Sequence, residues 1–185
     1  LGMPLQTKCF VEHIIRAKDG RVVGLQVREG YKFPKKDSGK TRFLKATKGV
    51  VLCYGGFSAD VKYRTYQDPK LSDKLDTTNQ PGATSELWRE TSNIGALQIQ
   101  NDWIQCGPWG NPREKGMGIG WMFNQTAAAE YGIWVNSKGD RFVNELANRK
   151  IRADAIMVEQ VHGLKCWAIA NEPNVAPLKK QRPGF

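Results

Sequence analysis

Apolar and polar positions alternate twice near the start of the chain, on either side of a strong turn signal. Residues 10–17 carry Phe10, Val11, Ile14 and Ile15, Asp19-Gly20 has hairpin-turn composition, and 21–29 alternates again through Val23, Leu25 and Val27. The pattern predicts two antiparallel strands. A further short strand is expected over 43–47. Val50-Val51-Leu52-Cys53-Tyr54 is apolar without alternation and is closed by Gly55-Gly56, which predicts a strand covered on both faces in the middle of a sheet. Residues 63–84 are polar and rich in turn formers, including Pro69, Pro81 and Gly82. They lead into an expected helix over 85–93, with Thr84 or Ser85 as its cap and Glu86 suited to its positive end.

A second unit is expected to begin near Trp103. Five glycines and two prolines between Gly107 and Gly120 exclude a regular element there and predict a long loop. Residues 131–136 predict a strand, Ser137-Lys138-Gly139-Asp140 a hairpin turn, and 141–144 the returning strand. A helix is expected over 147–161, with Ile151, Ala155 and Val158 on one face and Gly163 ending it. Residues 165–170 are the last strand candidate, with no closing element expected beyond it.

Composition narrows the class. At 185 residues, 40% hydrophobic and 25% charged, the chain has ordinary globular proportions, which exclude wholesale disorder, collagen and coiled coil. No apolar run approaches the roughly 18 residues of a membrane span, so none is expected. The start, Leu1-Gly2-Met3-Pro4, lacks the composition of a signal peptide. The formal charge is +10, yet eight basic residues against Glu29 and Asp37 between Arg28 and Lys48 account for six of those charges. That stretch also holds Gly30, Pro34, Ser38 and Gly39, and reads as a solvated loop between strands. Nucleic acid is not expected as a partner, because no aromatic interleaving or recognised motif accompanies the charge. Cys9, Cys53, Cys106 and Cys166 form no C-x-x-C pair and have no histidine at zinc-finger spacing, so no metal site is expected. Cys53 and Cys166 sit in apolar runs and read as small buried hydrophobes. Cys106, at the end of an element, would need His13 or His162 beside it to act as a nucleophile.

Three ordered stretches resemble one family. Gly49-Val50-Val51-Leu52 followed by Gly55-Gly56-Phe57-Ser58, then Thr78-Asn79-Gln80-Pro81-Gly82-Ala83-Thr84, then the run from Gly132 to Asn136 with Gly139-Asp140-Arg141-Phe142-Val143-Asn144-Glu145 and Arg149, are similar to the FAD-dependent fumarate reductase and flavocytochrome c flavoproteins. The resemblance implies an α/β fold with an α+β cap: a partial FAD-binding domain of sheet and helices over 1–102, followed by part of the family's capping domain over 103–185. It implies an internal piece of a longer flavoprotein, since no G-x-G-x-x-G follows a strand here. FAD is then the cofactor of the longer protein, held weakly or not at all by this chain alone. The remainder of the flavin domain and an electron-donor domain or protein would be its partners.

The resemblance also implies residue roles. Gly55, Gly56, Gln80, Ala83, Thr84, Ser85 and Glu86 fall on the flavin side, Gly107 and Glu145 on the substrate side, and Arg149 matches the arginine that protonates the substrate after hydride arrives from flavin. Arg152, one turn further along, has no counterpart in that motif and is expected to matter little. Where the family has Gly-Asp-Gly, this chain has Ser85-Glu86-Leu87; where it has a histidine before a proline, this chain has Gly107; and Asn124-Gln125-Thr126-Ala127-Ala128 lacks the family's proton-relay glutamate and arginine. The expected activity is reduction of the C=C bond of an α,β-unsaturated carboxylic acid, fumarate-like, urocanate-like or acrylate-like, the last two fitting these departures better. The alternatives are a non-catalytic remnant that no longer binds FAD, favoured by Ser85-Glu86-Leu87, and a basic polyanion-binding module resting on 28–48.

Overall fold

The computed structural model describes residue 2 and residues 4–108, 110–111, 113–114, 120, 123–124 and 132–181. Two compact units are formed, Leu1–Asp102 and Trp103–Phe185. In the first, β1 (Cys9–Arg16), β2 (Val22–Glu29) and β3 (Lys40–Lys45) make an antiparallel sheet in the order β1-β2-β3. The Asp19-Gly20 turn forms as its composition predicts, with Gly20 at φ +89° and its N–H donated to the Ala17 carbonyl. Val27, 1% exposed, stands opposite Val11 on one side and Arg42 on the other. The β1 register shifts twice, between Val11 and His13 and between Ile15 and Arg16. Gly24 is needed for close approach: a Cβ there would collide with the Leu44 carbonyl oxygen. The basic stretch is less of a loop than expected, since Arg28 lies in β2 and Lys40, Arg42 and Lys45 in β3.

The central strand expected over 50–54 does not form. Residues 49–57 join no sheet, Val51 is 88% exposed, and Leu52 and Cys53 are exposed too, so the expectation of a buried Cys53 is also corrected. A run apolar on both faces becomes a strand only where neighbours pair with both edges, and the described residues supply none. Both sheets are antiparallel, so among the described residues the parallel pairing that an α/β fold implies is absent.

After this segment the chain forms a helix that the sequence pattern did not predict, α1 (Val61–Gln67). Its start is set by Asp60, whose Oδ1 accepts the Tyr63 N–H at 2.9 Å, an ordinary aspartate cap on a short polar helix. Arg64 then organises the turns that follow. It is 5% exposed and donates to the carbonyls of Ser58, Leu71, Ser72 and Leu75. Helix α2 (Glu86–Asn93) falls where expected. Its Trp88 packs edge-on to Phe57 and Tyr54, and its Glu90 accepts the Ile14 N–H at 2.8 Å, docking the helix on β1.

In the second unit β4 (Ile133–Asn136) pairs antiparallel with β5 (Cys166–Ile169). The 137–140 turn forms, with Gly139 at φ +88°, but 141–144 returns only as an isolated Val135–Arg141 bridge, because β5 is the strand that pairs with β4. Helix α3 (Arg149–Val161) is capped by Asn148, whose Oδ1 accepts the Ile151 N–H at 3.0 Å. Gly163 closes it at φ +74°, with the Leu164 N–H on the Glu159 carbonyl. The face that Ile151 and Val158 share is not the buried one. Ile151 and Val158 are more than half exposed, while Arg152 and Ala153 are buried. A last helix, α4 (Glu172–Gln181), follows β5, so the expectation of no closing element is corrected as well. The loop expected over 107–120 and the strand start at Tyr131 lie partly outside the described residues. No helix among the described residues is long and apolar enough to cross a membrane.

Candidate functional site

In the first unit two loops lie side by side. The Ala59 N–H donates to the Ala83 carbonyl at 2.9 Å, and Trp88 Nε1 donates to the Gly55 carbonyl at 3.1 Å. Gly55 (φ +71°), Gly56 and Gly82 have open space where a Cβ would stand, so their backbone can be approached closely from outside. Gln80 is exposed, and Ala83 and Thr84 are half-buried in the turn that follows it. Ser85 departs from expectation. It is 1% exposed, and its Oγ donates to Asp60 and accepts from Arg89 Nε at 2.9 Å, so its side chain is committed inside the fold. No side chain caps α2. Burial pushes the Asp60 carboxyl up, but the Ser85 hydroxyl, the Tyr63 N–H and the Arg89 charge outweigh it and hold Asp60 below its ordinary value. Glu86 begins α2 with Oε1 3.6 Å from Lys36 Nζ, while its Oε2 is buried without a hydrogen-bond partner among the described residues.

In the second unit Arg149 is exposed at the first position of α3, and its Nη1 donates to Gln105 Oε1 at 3.1 Å. Gly107 is exposed. Glu145, expected to touch substrate, is 4% exposed and fully engaged within the unit. Its Oε1 accepts the Trp134 N–H at 2.8 Å and Arg141 Nε at 3.2 Å, its Oε2 accepts Arg141 Nη2 at 2.7 Å, and its carbonyl accepts Arg152 Nη1 at 3.0 Å. Burial pushes the Glu145 carboxyl up; the Arg141 guanidinium and the Trp134 N–H more than reverse this and keep it below the usual glutamate range. Arg152 is committed to packing as well. It is 8% exposed and lies 5.4 Å over the Trp134 ring, so it is a structural residue of α3. Burial, and then the charge of Arg149, lower its affinity for its proton. Cys166 is half-buried, and its thiol is pushed up by burial and then by Glu159.

A cavity of about 620 Å³ lies beside β4 and β5, with Trp134, Phe142, Ile156, Trp167 and Arg113 among its walls, and the predicted substrate-side residues do not line it. The sequence pattern did not show the contacts of Asp60, Arg64, Arg141 and Arg152. Asp60, three residues before Tyr63, and Arg141, four before Glu145, were findable from spacing alone; nothing local marks Arg64 or Arg152. Part of the basic stretch is neutralised, with Arg28 on Glu12 and Arg42 on Glu29. Among the described residues no group of three or more histidine, cysteine or acidic side chains could hold a metal ion.

Residues 1–185 match the FAD binding domain family model, and the chain belongs to that family. It is 39% identical over 157 residues to the acrylate reductase flavoprotein subunit of Shewanella woodyi, covering 84% of this chain and 31% of that protein. It is 31% identical over 154 residues to the urocanate reductase of Eggerthella lenta, covering 83% and 23%. Among solved structures, the open conformation of a flavocytochrome c3 fumarate reductase superposes with a TM-score of 0.59 at 24% identity, over 80% of this chain and 24% of that one, a likeness of fold. The chain thus spans under a third of the length of these relatives. The resemblance to fumarate reductase and flavocytochrome c flavoproteins holds, and FAD is the cofactor of the family.

The residues present fit a part of FAD. The open glycines at 55, 56 and 82 offer backbone without side-chain obstruction. The Ser85 hydroxyl does not fit, because Asp60 and Arg89 already hold it.

Proposed function

We propose that the protein carrying this chain reduces the C=C bond of a small α,β-unsaturated carboxylic acid, of the acrylate or urocanate kind, with Arg149 as the proton donor. Leu1–Asp102 is then part of the FAD-binding domain, with Gly55, Gly56, Gln80, Ala83, Thr84 and Glu86 on the flavin side, and Trp103–Phe185 is the beginning of the cap. FAD, when bound, supplies the hydride that adds to one alkene carbon. Arg149 delivers a guanidinium proton to the other carbon and regains it from water, which reaches it because the side chain is exposed. The remainder of the flavin domain and an electron donor are its partners.

The observation that carries this reading is the contrast within one helix turn. Arg152 is buried over Trp134, whereas Arg149 stands exposed at the helix start, hydrogen bonded to a neutral side chain. The names of the relatives, acrylate and urocanate reductases, supply the substrate class. Arg149→Lys in the flavin-loaded protein tests it, since lysine keeps the charge but not the forked geometry or the reach. Turnover should fall by about 10²–10⁴-fold, the usual worth of a positioned acid, with flavin content retained. Val161→Ala, at the exposed end of the same helix, is the control and should leave turnover unchanged. A loss below about threefold for Arg149→Lys would withdraw the assignment.

A further inference from the structure

Glu145 joins β4 and the segment after the 137–140 turn to the start of α3. Through its carboxylate it holds the backbone of β4 at Trp134 and the side chain of Arg141, which follows the 137–140 turn; through its carbonyl it holds Arg152. Arg152 in turn lies over the ring of the same Trp134, so the strand residue that Glu145 fixes also seats the helix. Arg149 is four residues from Glu145, and the intervening Asn148 caps α3 through the Ile151 N–H. The segment 145–149 is therefore pinned at both ends. The direction in which Arg149 leaves the helix is set by what holds those two ends.

We propose that Glu145 is a positioning residue: it does not touch substrate, and its carboxylate and carbonyl fix the first turn of α3 so that the Arg149 guanidinium is aimed. This rests on the reading of Arg149 as the proton donor. Three features separate positioning from the substrate contact expected of Glu145. Its carboxylate is buried, both oxygens are occupied, and an anionic acid would be repelled by it rather than held. The Arg141 partner is 60% exposed, so the ion pair adds little stability by itself. The contribution of Glu145 is geometric, and a displacement of about 1 Å at a reacting group can cost on the order of 10²-fold in rate.

Glu145→Gln in the flavin-loaded protein is the test. Glutamine keeps the shape and an acceptor for the Trp134 N–H but loses the charge that grips Arg141. The expected result is a fall in kcat of about 10- to 100-fold with KM within about threefold and flavin content unchanged. Amide hydrogen exchange should quicken over 149–152 and stay as it was over β1–β3. If Glu145→Gln fails to fold, Arg141→Gln decides, because that side chain is largely exposed; it should lower kcat by several-fold at constant KM. A rise in KM with kcat kept would mean substrate contact and overturn the proposal. So would a folded Glu145→Gln protein with turnover within about twofold of the parent while Arg149→Lys is inactive. If Arg149→Lys keeps its turnover, the proton-donor reading fails first and the role of Glu145 falls with it.

Discussion

Two stretches of the first unit have equal claim to be β-structure by composition, and only one becomes it. Residues 9–45 fold into three strands, each joined to the next by a connection short enough for a local antiparallel pair. Residues 50–54 are more apolar than any of these strands, yet join no sheet and leave Val51 88% exposed. The difference is where the partner comes from. An antiparallel neighbour is supplied by the next few residues, whereas a strand apolar on both faces needs flanking strands brought from elsewhere in the chain. Strand propensity measures fit to a pleated, covered surface and does nothing without that surface.

The contrast can be broken at its strongest point first. Gly24→Val should disrupt the sheet, because the added Cβ collides with the Leu44 carbonyl, which is main chain and cannot swing aside. A loss of about 3 kcal/mol is expected in urea unfolding followed by circular dichroism, the upper part of the overpacking range. Val27→Ala comes next. Val27 is 1% exposed between two strands, and about 1–3 kcal/mol should be lost by the same measure. Val51→Ser should cost below about 0.5 kcal/mol, as for any substitution on a surface with nothing packed against it. A Val51→Ser loss as large as that of Val27→Ala would show that 50–54 is covered after all.

Much of the sheet and helix placement was legible in the sequence because its determinants are local. Asp19-Gly20 forces a hairpin and Gly163 ends α3, each by the chemistry of one or two residues. What was not legible depends on partners remote in sequence. The pairing of β4 with β5 rather than with 141–144 is one case. The turn of α3 that buries Arg152 instead of Ile151 is another, since a guanidinium can be buried only where an aromatic face and a carbonyl wait for it. The candidate site divides in the same way. Gly55, Gly56 and Arg149, singled out by the motif match, are exposed. The commitment of Ser85 to Asp60 and Arg89, and of Glu145 to Arg141 and Trp134, appears only with the packing.

The two register shifts in β1 bear on how large the first sheet can grow. A three-stranded sheet ends in two outer strands, and each offers a row of unpaired amides and carbonyls to any other extended chain. In β1 the shifts lie between Val11 and His13 and between Ile15 and Arg16, and such bulges twist an edge away from the straight ladder that an incoming strand requires. In β3 the sequence Lys40-Thr41-Arg42-Phe43-Leu44-Lys45 places a lysine at each end, with Arg42 between them paired to Glu29, so that the lysines of two identical edges repel. Among the described residues one border is turned by shape, with α2 docked on it through Glu90, and the other is guarded by charge.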